Sequence, residues 1–369
     1  VVTVLDPSQP LAAPFRQDVQ DALTGFLTDQ RPVLAGVGTE LEAMAQLAEV
    51  FTGGGKRLRP AFALWGYVAA AGLPVEETYA ALVRAAASLE LLHVSALMHD
   101  DVMDNSDTRR GVPAAHLQFA DLHDRRDWVG AADQFGRAGA ILLGDLLLVW
   151  SDEMVQTAGL APAVLGRARP YLAAMRTEVT CGQYLDVVAQ AQPLRPDRLQ
   201  DNIDQVRRVV EFKSARYSVQ RPVQFGAAMG DADEQLQAAL AAYGSPLGRA
   251  FQYRDDLLGV FGDERVIGKP AGGDLREGKH TLLLAYALAG SGEAGQNRLM
   301  SLVGSPDLSA EGITEARDII DTSGARTRVE ADIQANLERS LAALDRAPLS
   351  GAGREALVSL AHAAVSRSV

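Results

Sequence analysis

Cysteine is almost absent from this chain: Cys181 is the only one among 369 residues. No intrachain disulfide and no thiolate zinc cluster can form, which points to a reducing, cytoplasmic setting. Basic residues are also in deficit. There are 35 Lys and Arg against 47 Asp and Glu, a formal charge of -12, which argues against nucleic acid and anionic membrane surfaces, since both select a basic face. Aromatic residues make up 6% of the chain, and alternating Val/Ile/Thr runs are nearly missing, so little speaks for strands. Long hydrophobic runs are lacking too. The most apolar stretches, 61–73 and 138–150, fall short of the roughly 20 residues that span a bilayer, and Asp145 interrupts the second. The start, Val1-Val2-Thr3, reads as a processed or trimmed end and has no basic stretch followed by an apolar one, so no signal peptide is expected.

What the chain does have is Ala and Leu at helical spacing, within a composition that is 47% hydrophobic. The fold class expected is all-α, one large helical bundle. Helices are predicted over 15–30, 40–52, 60–71, 77–104, 134–158, 161–189, 200–226, 233–262 and 279–288, then near 310–323, 326–344 and 354–365. Gly, Pro, Asp and Arg crowd into breaks at 105–113, 120–134, 191–198 and 262–278. None is long enough for a domain linker, and no fixed-period repeat or low-complexity tract is present.

Two Asp clusters carry the chemistry. In Leu97-Met98-His99-Asp100-Asp101-Val102-Met103-Asp104 the carboxylates of Asp100 and Asp104 are four residues apart, on one helix face a turn apart. The helix before them is mostly apolar, and like charges against a buried wall repel unless a cation neutralises them. A hard divalent cation such as Mg²⁺, which shares its shell among carboxylate, water and phosphate, is the natural partner. A solvated, Asp-rich helix end is the plainer alternative. The second cluster, Phe251-Gln252-Tyr253-Arg254-Asp255-Asp256-Leu257-Leu258, again closes an amphipathic run, and two such pairs in one bundle can face each other.

A polyanionic substrate also needs cations. Gly53-Gly54-Gly55-Lys56-Arg57-Leu58-Arg59-Pro60 sets three of them after a flexible loop whose N–H groups and side chains can hold a diphosphate. Arg109-Arg110-Gly111 follows the first Asp cluster, and Lys213, Lys269 and Lys279 are further candidate phosphate donors. Each of these alone would be an ordinary charged surface residue. His99 beside Asp100 is not a good Mg²⁺ ligand, because the ion prefers oxygen and adjacent helical residues diverge by about 100°. Cys181 is expected to pack between helices, while Gln183 and Asp186 share a face and either support the metal site or cap an interhelical contact.

In order along the chain, Gly54-Gly55-Lys56-Arg57-x-Arg59-Pro60, Asp100-Asp101-x-x-Asp104 with Arg109-Arg110-Gly111, Gly182-Gln183-x-x-Asp186, Lys213-Ser214-Ala215, Phe251-Gln252-x-x-Asp255-Asp256 and Gly268-Lys269 resemble the trans-isoprenyl diphosphate synthases, or polyprenyl synthetases. The resemblance implies a single domain over 1–369, its motif-bearing core at about 38–290 and C-terminal helices at 310–369, in an isoprenoid synthase bundle around a deep apolar cavity, homodimeric, with three Mg²⁺ ions. By position it implies that Asp100 and Asp104 hold two ions and Asp255 the third. Arg109, Lys213 and Lys269 would grip an allylic diphosphate, while Lys56, Arg59, His93 and Arg110 would hold isopentenyl diphosphate. Ser214, Tyr217 and Gln252 would line the reacting carbons. The implied reaction ionises the allylic C–O bond, adds the isopentenyl double bond to the cation and returns a proton to the departing diphosphate. Two positions depart from the pattern: Gly259 stands where many relatives carry a third Asp, leaving ligands to water, and Ser214 replaces a commoner Thr.

In this family the side chains before the first Asp cluster stop the growing chain. Here Ser95 and Ala96 are small, which opens the C15 stop, and Leu92 is the first bulky side chain one turn deeper, with Leu91, Leu89 and Ser88 beyond. The expected product is geranylgeranyl diphosphate (C20), with C25 to C40 as the alternative. A class I terpene cyclase would also ionise an allylic diphosphate, but it needs no second diphosphate site and so does not explain Lys56-Arg57-x-Arg59 with Arg110. A non-catalytic partner subunit could dispense with the Asp clusters, which are present here.

Overall fold

A computed structural model describes residues 5–262, 272–305 and 307–366. Its helices in chain order are α1 (Ala13–Val37), α2 (Glu42–Thr52), α3 (Leu58–Ala71), α4 (Glu76–Met103), α5 (Ala115–Arg125), α6 (Ala132–Gln156), α7 (Pro162–Ala191), α8 (Leu199–Val209), a π-helical segment (Val210–Gln220), α9 (Arg221–Met229) and α10 (Glu234–Phe261). There follow a one-turn α11 (Gly273–Arg276), α12 (Leu282–Gly290), α13 (Glu293–Leu302), α14 (Ala310–Thr322), α15 (Ala325–Asp345) and α16 (Gly351–Val365). The all-α expectation holds. The one sheet among the described residues is a two-residue ribbon, β1 (Thr108–Arg109) against β2 (Val112–Pro113).

Several helix starts follow from capping chemistry. Asp233, Thr281, Ser309 and Ser350 each accept the backbone N–H three residues on, satisfying a donor the helix leaves unpaired. Helix α1 outruns its predicted end at residue 30. It continues through Pro32, which is exposed, so the carbonyl deprived of its partner meets water, while Leu34 one turn on is buried. Helix α4 has the length and mean hydropathy of a membrane span, yet 72% of its most apolar window is buried inside the protein, and it is a core helix. Around it lie Phe26, Phe51, Phe62, Trp65, Leu143 and Leu147, all essentially inaccessible.

Two segments differ from the sequence reading. The break expected at 120–134 is confined to 126–131, because the last turns of helix α5 run to Arg125 and α6 starts at Ala132; the two helices lie so close that a β-carbon on Gly136 would meet the His116 carbonyl, and one on Gly139 the Phe119 ring. The single helix expected over 200–226 is instead a continuous rod of α8, the π-helical segment and α9. A π-helix is widened by i→i+5 bonding and rarely runs beyond one turn. Here its backbone is gripped from both sides, because a β-carbon on Gly182 of α7 would strike Lys213, and one on Gly248 of α10 would strike Ala215.

Candidate active site

The end of α4, the middle of α7 and the π-helical segment meet at Asp100. Its Oδ1 accepts from Gln183 Nε2 at 2.9 Å and from Lys213 Nζ at 3.2 Å, and the same ammonium stands 2.6 Å from Asp186 Oδ2. Burial alone would raise the Asp100 carboxyl, but the charges of Lys213, Lys279 and Arg109 outweigh it and hold the group below the usual carboxylate range. Gln183 and Asp186 thus join α7 to Asp100 of α4 and Lys213 of the π-helical segment. Asp101 points elsewhere. It is wholly buried and bound by Arg109 through Nε, at 2.9 and 3.1 Å, and through Nη2. That pair fixes the Arg109 guanidinium beside the cluster.

Asp104 is the strained member. Its side chain is 5% exposed, its Oδ2 has no hydrogen-bond partner among the described residues, and Lys279 Nζ stands 3.4 Å from it. Burial, then the charge on Asp100, push its carboxyl up to about 6. A buried carboxylate oxygen without a donor fits a hard cation. Lys279 also stands 2.6 Å from Glu277 and 3.8 Å from Asp274. Burial lowers its basicity, but Asp274, Glu277 and Asp104 more than restore it.

On α10, Asp256 is buried and accepts from Gln252 Nε2 at 2.7 Å; burial pushes its carboxyl up to about 8, against the effect of that hydrogen bond and helped by the charges of Asp274 and Asp255. A turn further on, the carboxylate of Asp274 stands where a β-carbon on Gly259 would be. The position that lacks the third Asp of the motif therefore faces a carboxylate from α11. Among the described residues no three His, Cys, Asp or Glu side chains are grouped so that they could hold a metal ion. Lys269 lies outside the described residues.

The glycine loop needs a correction. Of its three cations, Arg57 does not face a ligand: it is 3% exposed, adopts φ 54°, and its guanidinium donates to Glu90 at 2.8 Å and to the Thr52 carbonyl at 2.7 Å. Lys56 is exposed and Arg59 half-buried. Arg59 donates to Ser218 Oγ at 2.8 Å and lies 4.3 Å over the Tyr217 ring. Opposite, the ribbon turns through Arg110 and Gly111 at φ 55° and 78°, both left-handed as a tight hairpin requires. This turn brings Arg110 Nη1 to the carbonyls of Phe51 and Gly53 at 2.7 and 2.9 Å. Burial lowers the Arg110 pKa; Glu90 resists this, and the neighbouring Arg57, Arg59 and Arg109 add to it. Such crowded guanidiniums call for an anion.

His93 faces this basic group. Burial first, then Arg59 and Arg110, hold its pKa well below 6.5, so the ring is neutral, and its Nδ1 shares a hydrogen bond with Tyr217 at 3.2 Å. Tyr217 is likewise kept neutral by burial, its phenol pushed up to about 12. Ser214 and Gln252 keep part of their surface open. On the next stripe of α4, Ser88, Leu92 and Ser95 are buried, whereas Ala96 is partly open. The stripe continues to His99, which turns away from the Asp cluster to the Ile141 carbonyl and Asp145 of α6, at 3.2 and 3.1 Å. Cys181 is exposed rather than packed between helices.

Sequence reasoning missed Gln20, Glu90 and Asp274. Glu90 left a signal, since a lone charge inside an apolar helix needs a buried partner.

The polyprenyl synthetase family model matches residues 41–320. The geranylfarnesyl diphosphate synthase of Aeropyrum pernix is 32% identical over 310 residues, covering 83% of this chain and 88% of that protein. The octaprenyl diphosphate synthase of Escherichia coli is 30% identical over 347 residues, or 91% and 93% of the two chains. A crystal structure of geranylgeranyl pyrophosphate synthase from Corynebacterium glutamicum, complexed with isoprenyl diphosphate and magnesium, superposes with a TM-score of 0.91 at 37% identity, covering 99% of this chain and all of that one. The carboxylates at the end of α4, the cations around them and these likenesses agree: the chain belongs to the polyprenyl synthetase family and is a trans-prenyltransferase.

Proposed function

We propose that the chain is a magnesium-dependent geranylgeranyl diphosphate synthase that extends allylic diphosphates with isopentenyl diphosphate. One relationship carries the reading. Asp100, with its lysines, and His93, with Arg59 and Arg110 around it, are seven residues apart on α4, roughly 10 Å at helical rise. Two anion sites so spaced fit two diphosphates, whereas a terpene cyclase needs one.

Asp100 and Asp104 would hold two ions, and Asp255 the third, with Asp274 beside it over Gly259. When bound, magnesium supplies positive charge to the leaving diphosphate. Lys213 and Arg109, with Lys269 and Lys279, bind that same diphosphate and stabilise the negative charge that its leaving oxygen gains when it takes the electron pair of the broken allylic C–O bond. Lys56, Arg59, Arg110 and neutral His93 hold isopentenyl diphosphate so that its double bond forms the new C–C bond at the allylic cation. Tyr217, Ser214 and Gln252 face the reacting carbons, and apolar neighbours keep water from the cation. The proton lost from the adduct passes to the departing diphosphate.

For product length, the support is the order of side chains on the α4 stripe: small Ser95, then Leu92 as the first bulky obstacle. Incubation with C5, C10 and C15 allylic diphosphates and isopentenyl diphosphate should accumulate C20. Accumulation only beyond C20, or no use of farnesyl diphosphate, overturns the assignment. Thermal shift with magnesium and inorganic diphosphate tests the metal reading independently of turnover; no stabilisation refutes it. We also read the enzyme as a cytoplasmic homodimer. Ile141, Leu142 and Val149 leave an apolar stripe of α6 exposed, fit for a second copy, and sedimentation at micromolar concentration checks it.

A further inference from the structure

The glycine loop is fastened from a helix outside the stretch that matches the family model. Gln20 on α1 uses one oxygen, Oε1, to accept from the Gly54 backbone N–H at 3.2 Å and from Arg57 Nη2 at 2.5 Å. Through its other end, Nη1, Arg57 donates to Glu90 on α4 at 2.8 Å. The segment between is costly to hold. Gly54, Gly55 and Arg57 have φ of 69°, 96° and 54°, and the last is a left-handed conformation that L side chains avoid. Such a residue keeps its shape only where its surroundings over-determine it. Here Gln20, the Thr52 carbonyl and Glu90 do so at once.

Lys56 and Arg59 flank this anchor along the chain. With Arg57 turned into the core, Lys56 is left exposed, and Arg59 is set by its own bond to Ser218. We propose that Gln20 and Glu90 are positioning residues which, acting through Arg57, preorganise the glycine loop and Lys56 for the diphosphate of the isopentenyl substrate. This rests on the assignment of that substrate to the loop made under Proposed function. Helix α1 is docked independently of Gln20, by Asp18 to Tyr79 at 2.6 Å and Gln30 to Glu153 at 2.9 Å, so removing the Gln20 amide does not release the helix.

The test is a pair of substrate titrations on the full chain, each with the other substrate saturating, joined to calorimetric titration of isopentenyl diphosphate without turnover. Gln20→Ala should raise the KM and the Kd for isopentenyl diphosphate on the order of tenfold, the loss expected of one hydrogen bond to a charged donor. The KM for the allylic substrate, kcat and Tm should stay close to wild type. Gln20→Glu keeps an accepting oxygen and should restore the affinity. Glu90→Gln, compared where its melting curve shows it folded, should shift the same KM in the same direction. The inference is overturned if both KM values move together, if Gln20→Ala leaves the isopentenyl KM unchanged, or if Gln20→Glu is as impaired as Gln20→Ala. Wild-type protein that binds no isopentenyl diphosphate would instead overturn the substrate assignment itself, and the inference with it.

Discussion

The carboxylate of Asp274 stands in the space that a side chain on Gly259 would fill. Restoring the motif's third Asp with Gly259→Asp therefore sets two carboxylates against each other. That variant should lower both Tm and kcat, the latter by on the order of tenfold, while Gly259→Asp combined with Asp274→Ala should recover much of the loss, as residues sharing one space are strongly coupled. A double-mutant cycle on kcat measures it. Higher activity for Gly259→Asp alone would sink the idea.

The Asp residues of the two clusters are not equivalent. Asp100 and Asp104 present their carboxylates to the lysines, whereas Asp256 is buried against Gln252 with its carboxyl pushed up to about 8. Asp100→Asn and Asp104→Asn should each cut kcat by about 10²–10³, the scale of losing a group that stabilises developing charge. Asp256→Asn, which keeps shape and the bond from Gln252, should retain activity within about tenfold of wild type on the same scale. Steady-state kinetics at saturating magnesium separates them.

His93 supplies a dependence on pH. Folding depresses its pKa below the ordinary 6.5, so the neutral ring's contribution is complete above pH 6.5 and is lost as the pH falls through the folded value. Wild type should lose Tm relative to His93→Gln progressively below pH 6.5, with no change in their difference above pH 7.5. Parallel melting curves of the two proteins from pH 8 to 5 test this; curves that stay parallel throughout refute it.

The α4 stripe facing α6 sets a prediction for product length. Leu92→Ala opens the space under Ser95 and should shift the main product one or more isoprene units longer. Ser95→Phe should shorten it, at a stability cost of about 1–3 kcal/mol for overpacking a buried site. Chromatography of dephosphorylated products reads both.

The helices around the site were legible because apolar spacing and Asp pairs are local signals: the end of α4 falls within a residue of its predicted place. What stayed hidden depends on contacts distant in sequence. No local pattern tells that Arg57, between Lys56 and Arg59, turns inward, because the deciding partners are Gln20 and Glu90 on other helices. The last turns of helix α5 read as a charged break until Gly136 and Gly139 of α6 offer the helix a surface. The π-helical widening around Lys213 depends on Gly182 and Gly248, which approach from α7 and α10. Asp274 belongs to a charged turn with no motif of its own, and only the fold sets it over Gly259.

Lys213 and Lys279, each 22% exposed at the side chain, thread ammonium groups among Asp100, Asp104, Asp186, Asp274 and Glu277. On the proposed metal reading, a divalent ion reaching these carboxylates would find most of them already facing an ammonium group, with Asp104 Oδ2 left without a hydrogen-bond donor among the described residues. The ion's uptake would then be an exchange in which tethered monovalent cations give way, each displaced ammonium becoming available to the phosphate oxygens that accompany the ion. Affinity for the cation and affinity for the anion would then be one linked quantity, each raising the other by the same factor.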